Sequence, residues 1–113
     1  MSNIVELTMQ DERDCGDLYL KTYKQGAEVL VAACDCDLLG KRFEEGKLHV
    51  DVCSDFFGTE KATYEDLERA LSRATIANFV GKGSVEMAIK LGYVNKDNVL
   101  VIDGVPCAQM VRM

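Results

Sequence analysis

The sequence predicts a single α+β domain with a mostly antiparallel sheet, and three observations lead to this class. Two apolar runs of strand length flank a short loop at Gly26, which is typical of a β-hairpin. The helical patterns are grouped in mid-chain, whereas helices alternating with strands would predict a parallel sheet. Asp103-Gly104 then marks a second hairpin near the C-terminus. We therefore expect the order β-β-(loop)-β-α-α-β-β.

The chain length of 113 residues fits one domain. We assign that domain to residues 17–113 and treat residues 1–16 as an N-terminal extension. The extension is polar and acidic around "MQDERDCGD", and its sequence fits either a disordered tail or an added edge strand.

Three strands are predicted in the first half of the domain. Residues 18–23 alternate in character, which is the strand period, and residues 29–34 form a continuous apolar run. Glycines punctuate residues 35–47, so we expect a loop there with at most one helical turn. Residues 48–53 alternate again and predict the third strand.

The clearest helix begins at Thr63, where Thr63 and Asp66 resemble a capping box with Asp in place of the usual Glu. Its apolar face continues as far as Asn78 at helical spacing. The stretch "TIANFV" is apolar on both sides, so either the helix breaks near Thr75 or its C-terminal half is buried all round. We favour the buried helix, because this stretch is too apolar for a surface linker.

A joint, "GKGS" (residues 81–84), separates this helix from a shorter second one, for which Ser84 is the expected N-cap and Gly92 the C-terminal glycine. Residues 99–102 predict a strand. Asp103-Gly104 predicts a type I′ turn with positive φ at both positions. Pro106 cannot donate a ladder hydrogen bond, so we expect it at the start or edge of the last strand.

Charge and hydropathy narrow the function classes. The formal net charge of -6 gives little non-specific attraction to a phosphate backbone, so RNA binding is disfavoured unless a local basic patch provides it. No apolar run reaches the length of a membrane span, and the N-terminus does not resemble a signal peptide. We therefore expect a cytoplasmic protein with no membrane association.

The cysteines raise the question of a metal or redox site. Cys34 and Cys36 would point the same way on a strand, but a structural zinc site needs four ligands and no second pair is present. We therefore expect no metal and no cofactor, and a structural role for Cys34. The alternative is a small enzyme or metal-binding protein that uses Cys107 with His49 or Cys34.

Basic residues provide candidate binding surfaces. Arg69 and Arg73 form one stripe, Lys41 and Arg42 form a second, and Lys82 is a third point. The simpler interpretation is a solvated face on which Glu65 and Arg69 form an i,i+4 pair. The "GKGS" joint could also hold an anion on its backbone N–H groups, although it is too short for a P-loop.

Three segments resemble a known family. They are "VLVAACDCDLLGKRFEEGKLHVDV", "TIANFVGKGSVEMAIKLGYV" and "NVLVIDGVPCAQMVRM", and together they are similar to the archaeal family called domain of unknown function 424. The resemblance covers about residues 17–113. Cys107 stands where the family pattern implies His, which weakens any acid–base role there. Cys36 lies outside the pattern, so the Cys34–Cys36 pair is interpreted as a local accident.

The resemblance implies a compact archaeal cytoplasmic protein with no assigned reaction and an association with translation or ribosome assembly. We accordingly expect a non-enzymatic interaction module with a protein partner, which a ribosomal or translation component would fit. Open sheet edges could also allow a homodimer. The candidate binding residues are Lys41, Arg42, Arg69, Arg73, Asn78, Gly81, Lys82, Ser84, Pro106, Cys107 and Gln109.

Overall fold

The computed structural model describes residues 18–112, so the predicted extension over residues 1–16 lies outside the described residues. The strands are β1 (Leu18–Gln25), β2 (Glu28–Asp35), β3 (Arg42–Glu45), β4 (Leu48–Asp51), β5 (Lys61–Ala62), β6 (Ile76–Val80), β7 (Leu100–Ile102) and β8 (Val105–Val111). The helices are α1 (Ser54–Phe57), α2 (Tyr64–Leu71) and α3 (Lys82–Lys90), with short 3-10 turns at Cys36–Leu38 and Lys96–Asn98. No helix in this range is long and apolar enough to span a membrane.

Six strands form the main sheet in the order β5-β1-β2-β6-β8-β7, and β3 and β4 form a separate hairpin. Every pair in the main sheet is antiparallel except β2 with β6. The α+β class and the mostly antiparallel sheet are therefore confirmed.

The two faces of the main sheet are covered differently. On one face α2 and α3 pack over a core that includes Leu18, Val31 and Phe79. On the other face α1 and the β3–β4 hairpin surround a smaller core that includes Cys34 and Val80. Leu30 and Ile76 pack in neither core, so the second face is left partly open towards the β1–β2 turn.

Local signals were predicted well. Thr63 Oγ1 accepts from the Asp66 N–H at 3.1 Å while Asp66 Oδ2 accepts from the Thr63 N–H at 3.0 Å, which confirms the capping box. Gly92 follows α3 with a φ of 88°. Asp103 and Gly104 have φ values of 52° and 82°, as the predicted type I′ turn requires. Pro106 is the second residue of β8.

The predicted buried helix over residues 75–80 is wrong, because these residues form β6 in the middle of the main sheet. α2 ends at Leu71, and Thr75 then joins the end of β2: its N–H donates to the Val29 carbonyl at 2.8 Å, and its Oγ1 accepts from the Val29 N–H at 2.9 Å. A central strand presents alternate residues to both faces. The stretch is apolar on both sides for this reason.

The predicted loop over residues 35–47 also needs correction. It holds the 3-10 turn and the strand β3, which pairs with β4 across the two-residue turn Gly46-Lys47. Ser84 is not the N-cap of α3, since the helix begins at Lys82 and Gly81 occupies the cap position. The strand pattern of β3 was missed because only one of its four residues, Phe43, faces a core.

Candidate functional site

The "GKGS" joint binds an anion that belongs to the protein itself, the carboxylate of Asp35. The N–H groups of Gly83 and Ser84 donate to the two carboxylate oxygens at 2.9 and 2.8 Å. The Ser84 hydroxyl donates to the same carboxylate at 2.8 Å. Asp35 therefore accepts from two N–H groups at the start of α3 that have no partner within the helix, at the end where the helix dipole favours negative charge.

The parallel pairing of β2 and β6 explains this contact. Cys34 lies opposite Val80, so the residues that follow them along the chain, Asp35 and Gly81, lie side by side where the two strands end. Gly81 has a φ of 111°, and a Cβ on it would collide with the Asp35 carboxyl group. Only glycine fits this position, both for its backbone conformation and for lack of space.

Two of the candidate residues in this joint are consequently interior ones. Ser84 is fully buried and Gly81 is buried, so neither offers a free surface to a ligand. Lys82 is exposed, and with Pro106 it lines an apolar groove of about 410 Å³ between α3 and the β7–β8 hairpin.

A basic groove lies between α2 and the end of the β1–β2 hairpin, on the face of the sheet that α2 covers. Its volume is about 510 Å³. The residues that line it are Thr22, Lys24, Val29, Arg69, Ala70, Ser72 and Arg73. This set includes the predicted Arg69–Arg73 stripe and adds Lys24 from a different element.

All the charged side chains that line the basic groove are positive. Three of its lining residues are cationic and none is acidic. Arg69 forms an ion pair with Asp66, one turn earlier on α2. Lys24 and Arg73 form no ion pair with any residue in the range 18–112. Within the part of the chain that the structure describes, two positive charges therefore face the groove without a compensating carboxylate.

In the other predicted basic stripe, Arg42 is neutralised by two carboxylates. Arg42 Nε contacts Glu44 at 2.6 Å and its Nη1 contacts Asp51 at 3.5 Å, both on the β3–β4 hairpin. Lys41 precedes this hairpin and is exposed. No described cavity is lined by both stripes, so the structure does not bring Lys41 and Arg42 together with Arg69 and Arg73.

A second cavity, the sheet-face cleft, lies on the opposite face of the sheet and brings together residues from several predicted surfaces. It has a volume of about 260 Å³. The residues that line it are His49, Val50, Phe56, Phe57, Asn78, Phe79, Val80, Ile102, Cys107 and Ala108. Asn78 pairs across the strands with Gln109, so three candidate residues, Asn78, Cys107 and Gln109, meet at this face.

The thiols of this face are poor nucleophiles. Burial raises the pKa of the Cys107 thiol, whose Sγ donates to the Val105 carbonyl at 3.6 Å. Burial, with the Asp35 carboxylate adding to it, raises the pKa of Cys34 from 9.0 to about 12. Because the thiolate is the reactive form, both groups are held in their inert form at neutral pH.

The alternative of an enzyme or metal site that uses Cys107 with His49 or Cys34 finds little support in the geometry. His49 and Cys107 line the same cleft, but the His49 imidazole makes no hydrogen bond to another described residue. Cys34 and Cys107 flank Val80 on adjacent strands, which separates their backbones by about 9 to 10 Å. Within residues 18–112 no group of three or more His, Cys, Asp and Glu side chains could hold a metal ion.

A family model described as "Protein of unknown function (DUF424)" matches residues 23–113. The chain belongs to this family. The resemblance drawn from the sequence is thus confirmed for most of the chain. Among curated proteins, no sequence matches this DUF424 chain.

One solved structure is similar to the DUF424 chain. It is a crystal structure of an uncharacterized conserved protein from Methanopyrus kandleri, with a TM-score of 0.66 and 19% sequence identity. The match covers 85% of this chain and 94% of the other. At this identity the comparison supports the fold of the DUF424 chain and says nothing about its ligand.

Three important residues were missed by sequence reasoning. Asp35 falls at the start of the stretch predicted to be a loop, and its partner Ser84 lies 49 positions later. Lys24 sits next to the hairpin turn and carries no motif. Phe56 lies in the four-residue helix α1, which has too few residues to show a helical period.

Proposed function

We propose that this DUF424 protein is a non-enzymatic interaction module whose basic groove binds an acidic segment of a partner protein. The proposal is carried by one observation: three cations line the groove, one from β1, one from α2 and one from the turn after α2, and no carboxylate within residues 18–112 lines it. Arginine matches carboxylates with paired N–H donors, and lysine adds a point charge. The exposed Thr22 at the rim supplies a hydroxyl that can donate to a further carboxylate oxygen.

The overall charge favours a short acidic peptide over RNA. The protein as a whole carries a net charge of -6, so a long phosphate backbone would be repelled wherever it left the groove. An acidic segment of a few residues would contact only the basic groove. We therefore take RNA binding as the competing outcome of the test.

The test is the affinity of a fluorescein-labelled peptide of ten glutamates, measured by fluorescence anisotropy on the folded chain. We expect Arg73→Glu and Lys24→Glu each to weaken binding at least about tenfold, since each turns an attraction in the groove into a repulsion. We also expect the affinity to fall between about 50 and 300 mM salt, because the groove is open to solvent and its charges are screened.

Lys47→Glu is the matched control, because Lys47 is exposed in the β3–β4 turn and the substitution changes the net charge by the same amount as Lys24→Glu. Equal weakening by the two substitutions would mean that only net charge matters and would exclude the groove. If single-stranded RNA binds more tightly than the peptide and loses its affinity in Arg73→Glu, the acidic-protein proposal is wrong.

Association with translation or ribosome assembly belongs to the same proposal. A tagged chain used to capture partners from cell extract at low salt should retain a translation or ribosomal component after RNase treatment. The Arg73→Glu chain should lose that component, and the Lys47→Glu chain should keep it. If ribosomal components are captured without RNase and lost after RNase treatment, the association runs through RNA, which would contradict a direct protein contact.

A further inference from the structure

The sheet-face cleft has the size of a site for one ring system. Its volume of about 260 Å³ lies below the roughly 300–1,000 Å³ that is typical of pockets for drug-sized ligands. On the same face of the sheet, the exposed Gln109 lies beside Asn78, one of the lining residues. A ligand could therefore place a ring in the cleft while the rest of it extends over the sheet.

The lining of the cleft selects a neutral ligand. None of the ten lining residues is Asp, Glu, Lys or Arg, and the single His among them, His49, is exposed to solvent. The Cys107 thiol keeps its proton because burial raises its pKa. An ionic group placed here would lose its hydration without gaining a counter-charge, so phosphates and carboxylates are disfavoured inside the cleft.

The polar side chain of the cleft that belongs to the main sheet has no hydrogen-bond partner among residues 18–112. Asn78 is half-buried on the central strand β6, and its amide makes no hydrogen bond to another described residue. A side-chain amide offers an acceptor oxygen and two N–H donors side by side. The ligand should therefore present a donor and an acceptor next to each other on one edge.

Phe56 lines the cleft, and contacts with two other aromatic rings hold its side chain in position. Phe56 stacks on Tyr23 with ring centroids 5.8 Å apart and meets Phe57 edge-on at 5.0 Å. The Tyr23 hydroxyl also donates to the Phe56 carbonyl at 2.6 Å. A wall held in this way is suited to a flat ligand, because aromatic rings in proteins stack on planar bases.

We propose that the sheet-face cleft binds an adenine base, with Phe56 packing against the ring and the Asn78 amide contacting its amino edge. Adenine is neutral and planar, and its N6 donor and N7 acceptor form the pair that an Asn or Gln amide recognises. The site lies on the opposite face of the sheet from the basic groove, so it does not depend on the proposed function.

The experiment is an NMR titration of the ¹⁵N-labelled chain with adenosine and, separately, with inosine. We expect adenosine to shift the side-chain amide signals of Asn78 and the backbone signals of Cys107 and Ala108. Inosine replaces the N6 donor by a carbonyl, which opposes the amide oxygen, so we expect it to bind at least about tenfold more weakly.

Asn78→Asp should weaken adenosine binding by a similar factor, because the N–H donors are lost. Asn95→Asp is the matched control: Asn95 is exposed, and its side-chain oxygen accepts from the Asp97 N–H at 2.9 Å, which a carboxylate also does. Phe56→Leu should weaken binding without removing any hydrogen-bonding group, which keeps the proposal testable if Asn78→Asp does not fold.

Three results would overturn the proposal: no shifts with millimolar adenosine, shifts that map outside the cleft, or equal affinity for adenosine and inosine. The same titration with a short oligoadenylate distinguishes two sources of the base. Tighter binding of the oligoadenylate than of adenosine means that the base is presented by RNA. Equal affinities mean that the cleft takes a free nucleoside.

Discussion

Asp35 links two parts of the chain through one carboxylate, because it receives hydrogen bonds from the Gly83 and Ser84 N–H groups and from the Ser84 hydroxyl. Ser84 is fully buried, so in the intact fold its hydroxyl is satisfied by Asp35 and not by water. Hydrogen bonds to charged groups contribute more than neutral ones, and an unpaired buried donor is costly. This residue therefore holds the start of α3 against the sheet.

We predict that Asp35→Ala lowers the free energy of unfolding by about 3 kcal/mol, since it leaves several donors unpaired at once. Asp35→Asn should cost less, because one acceptor oxygen remains. Chemical denaturation measures both. Asp37→Ala, two residues later at an exposed position, is the control, and we expect it to change stability by less than about 0.5 kcal/mol. Similar losses for Asp35→Ala and Asp37→Ala would contradict this role.

Cys34 makes stability depend on pH at the alkaline end. Its thiol loses its proton near pH 9.0 when unfolded, whereas in the fold its pKa is about 12. Below pH 9 both states keep the proton and the thiol adds no pH dependence. As the pH rises from 9 towards 12, only the unfolded state gains by ionising, so the free energy of unfolding should fall.

We predict that Cys34→Ala, although less stable overall because it leaves a small void, loses less of its stability over this pH range than the unmodified chain. Denaturant unfolding at several pH values between about 8 and 11 measures the difference. Cys53→Ala removes an exposed thiol and should follow the unmodified chain. Parallel curves for Cys34→Ala and Cys53→Ala would show that Cys34 titrates alike in both states.

At the scale of elements, the change from α2 to β6 depends on Thr75. Its hydroxyl donates to Glu28 Oε1 at 2.7 Å and lies 3.1 Å from the Val29 carbonyl. Its own carbonyl accepts from the Arg112 N–H at 2.7 Å. These contacts place Thr75 between β2 and the end of β8, which aligns β6 with both neighbours.

Thr75→Val preserves the shape of the side chain and its preference for strands, but removes the acceptor of the Val29 N–H. We predict a loss of about 1 to 2 kcal/mol in the free energy of unfolding and faster hydrogen exchange at Val29. Thr59→Val is the control, since Thr59 is exposed in the loop after α1. Unchanged exchange at Val29 would mean that the hydroxyl does not hold this junction.

The elements that the sequence predicts correctly are those with local signals. Thr63 with Asp66, Gly92 and Asp103-Gly104 each act over a few residues, and each has the conformation expected. β6 could not be predicted in this way, because its apolar residues fit a buried helix as well as a buried strand. What decides between them is the pairing of Ile76–Val80 with Leu30–Cys34, which no local pattern records.

At the scale of the whole molecule, the basic groove and the sheet-face cleft also depend on contacts between residues that are distant in the sequence. Arg69 and Arg73 are close in sequence and could be paired from it, although Arg73 lies in the turn after α2, whereas Lys24 joins them only because the β1–β2 hairpin packs beside α2. Asn78 and Gln109 are far apart in the sequence, and sheet pairing makes them neighbours. Individual candidate residues could be chosen from the sequence, whereas their grouping required the fold.

We propose that the homodimer which open sheet edges could allow forms at the β7 edge of the sheet. Leu100 and Val101 in this strand are 48% and 51% exposed, and unpaired main-chain groups along an edge strand favour pairing with a second copy. We predict that the sedimentation coefficient rises with protein concentration and that Val101→Lys abolishes the rise. A concentration-independent value for the unmodified chain would exclude pairing at this edge.

The parallel pairing of β2 with β6 also constrains how the chain folds during its synthesis. β2 can pair with β6 only after Thr75, which bonds Val29 at the start of β2 and lies 46 residues later in the chain, has been synthesised. During synthesis the β1–β2 hairpin therefore leaves the ribosome with one apolar edge unpaired, and it stays so until β6 has emerged. A truncated chain that ends within α2 would lack β6, β7 and β8, and we expect it to aggregate rather than to persist as a smaller domain.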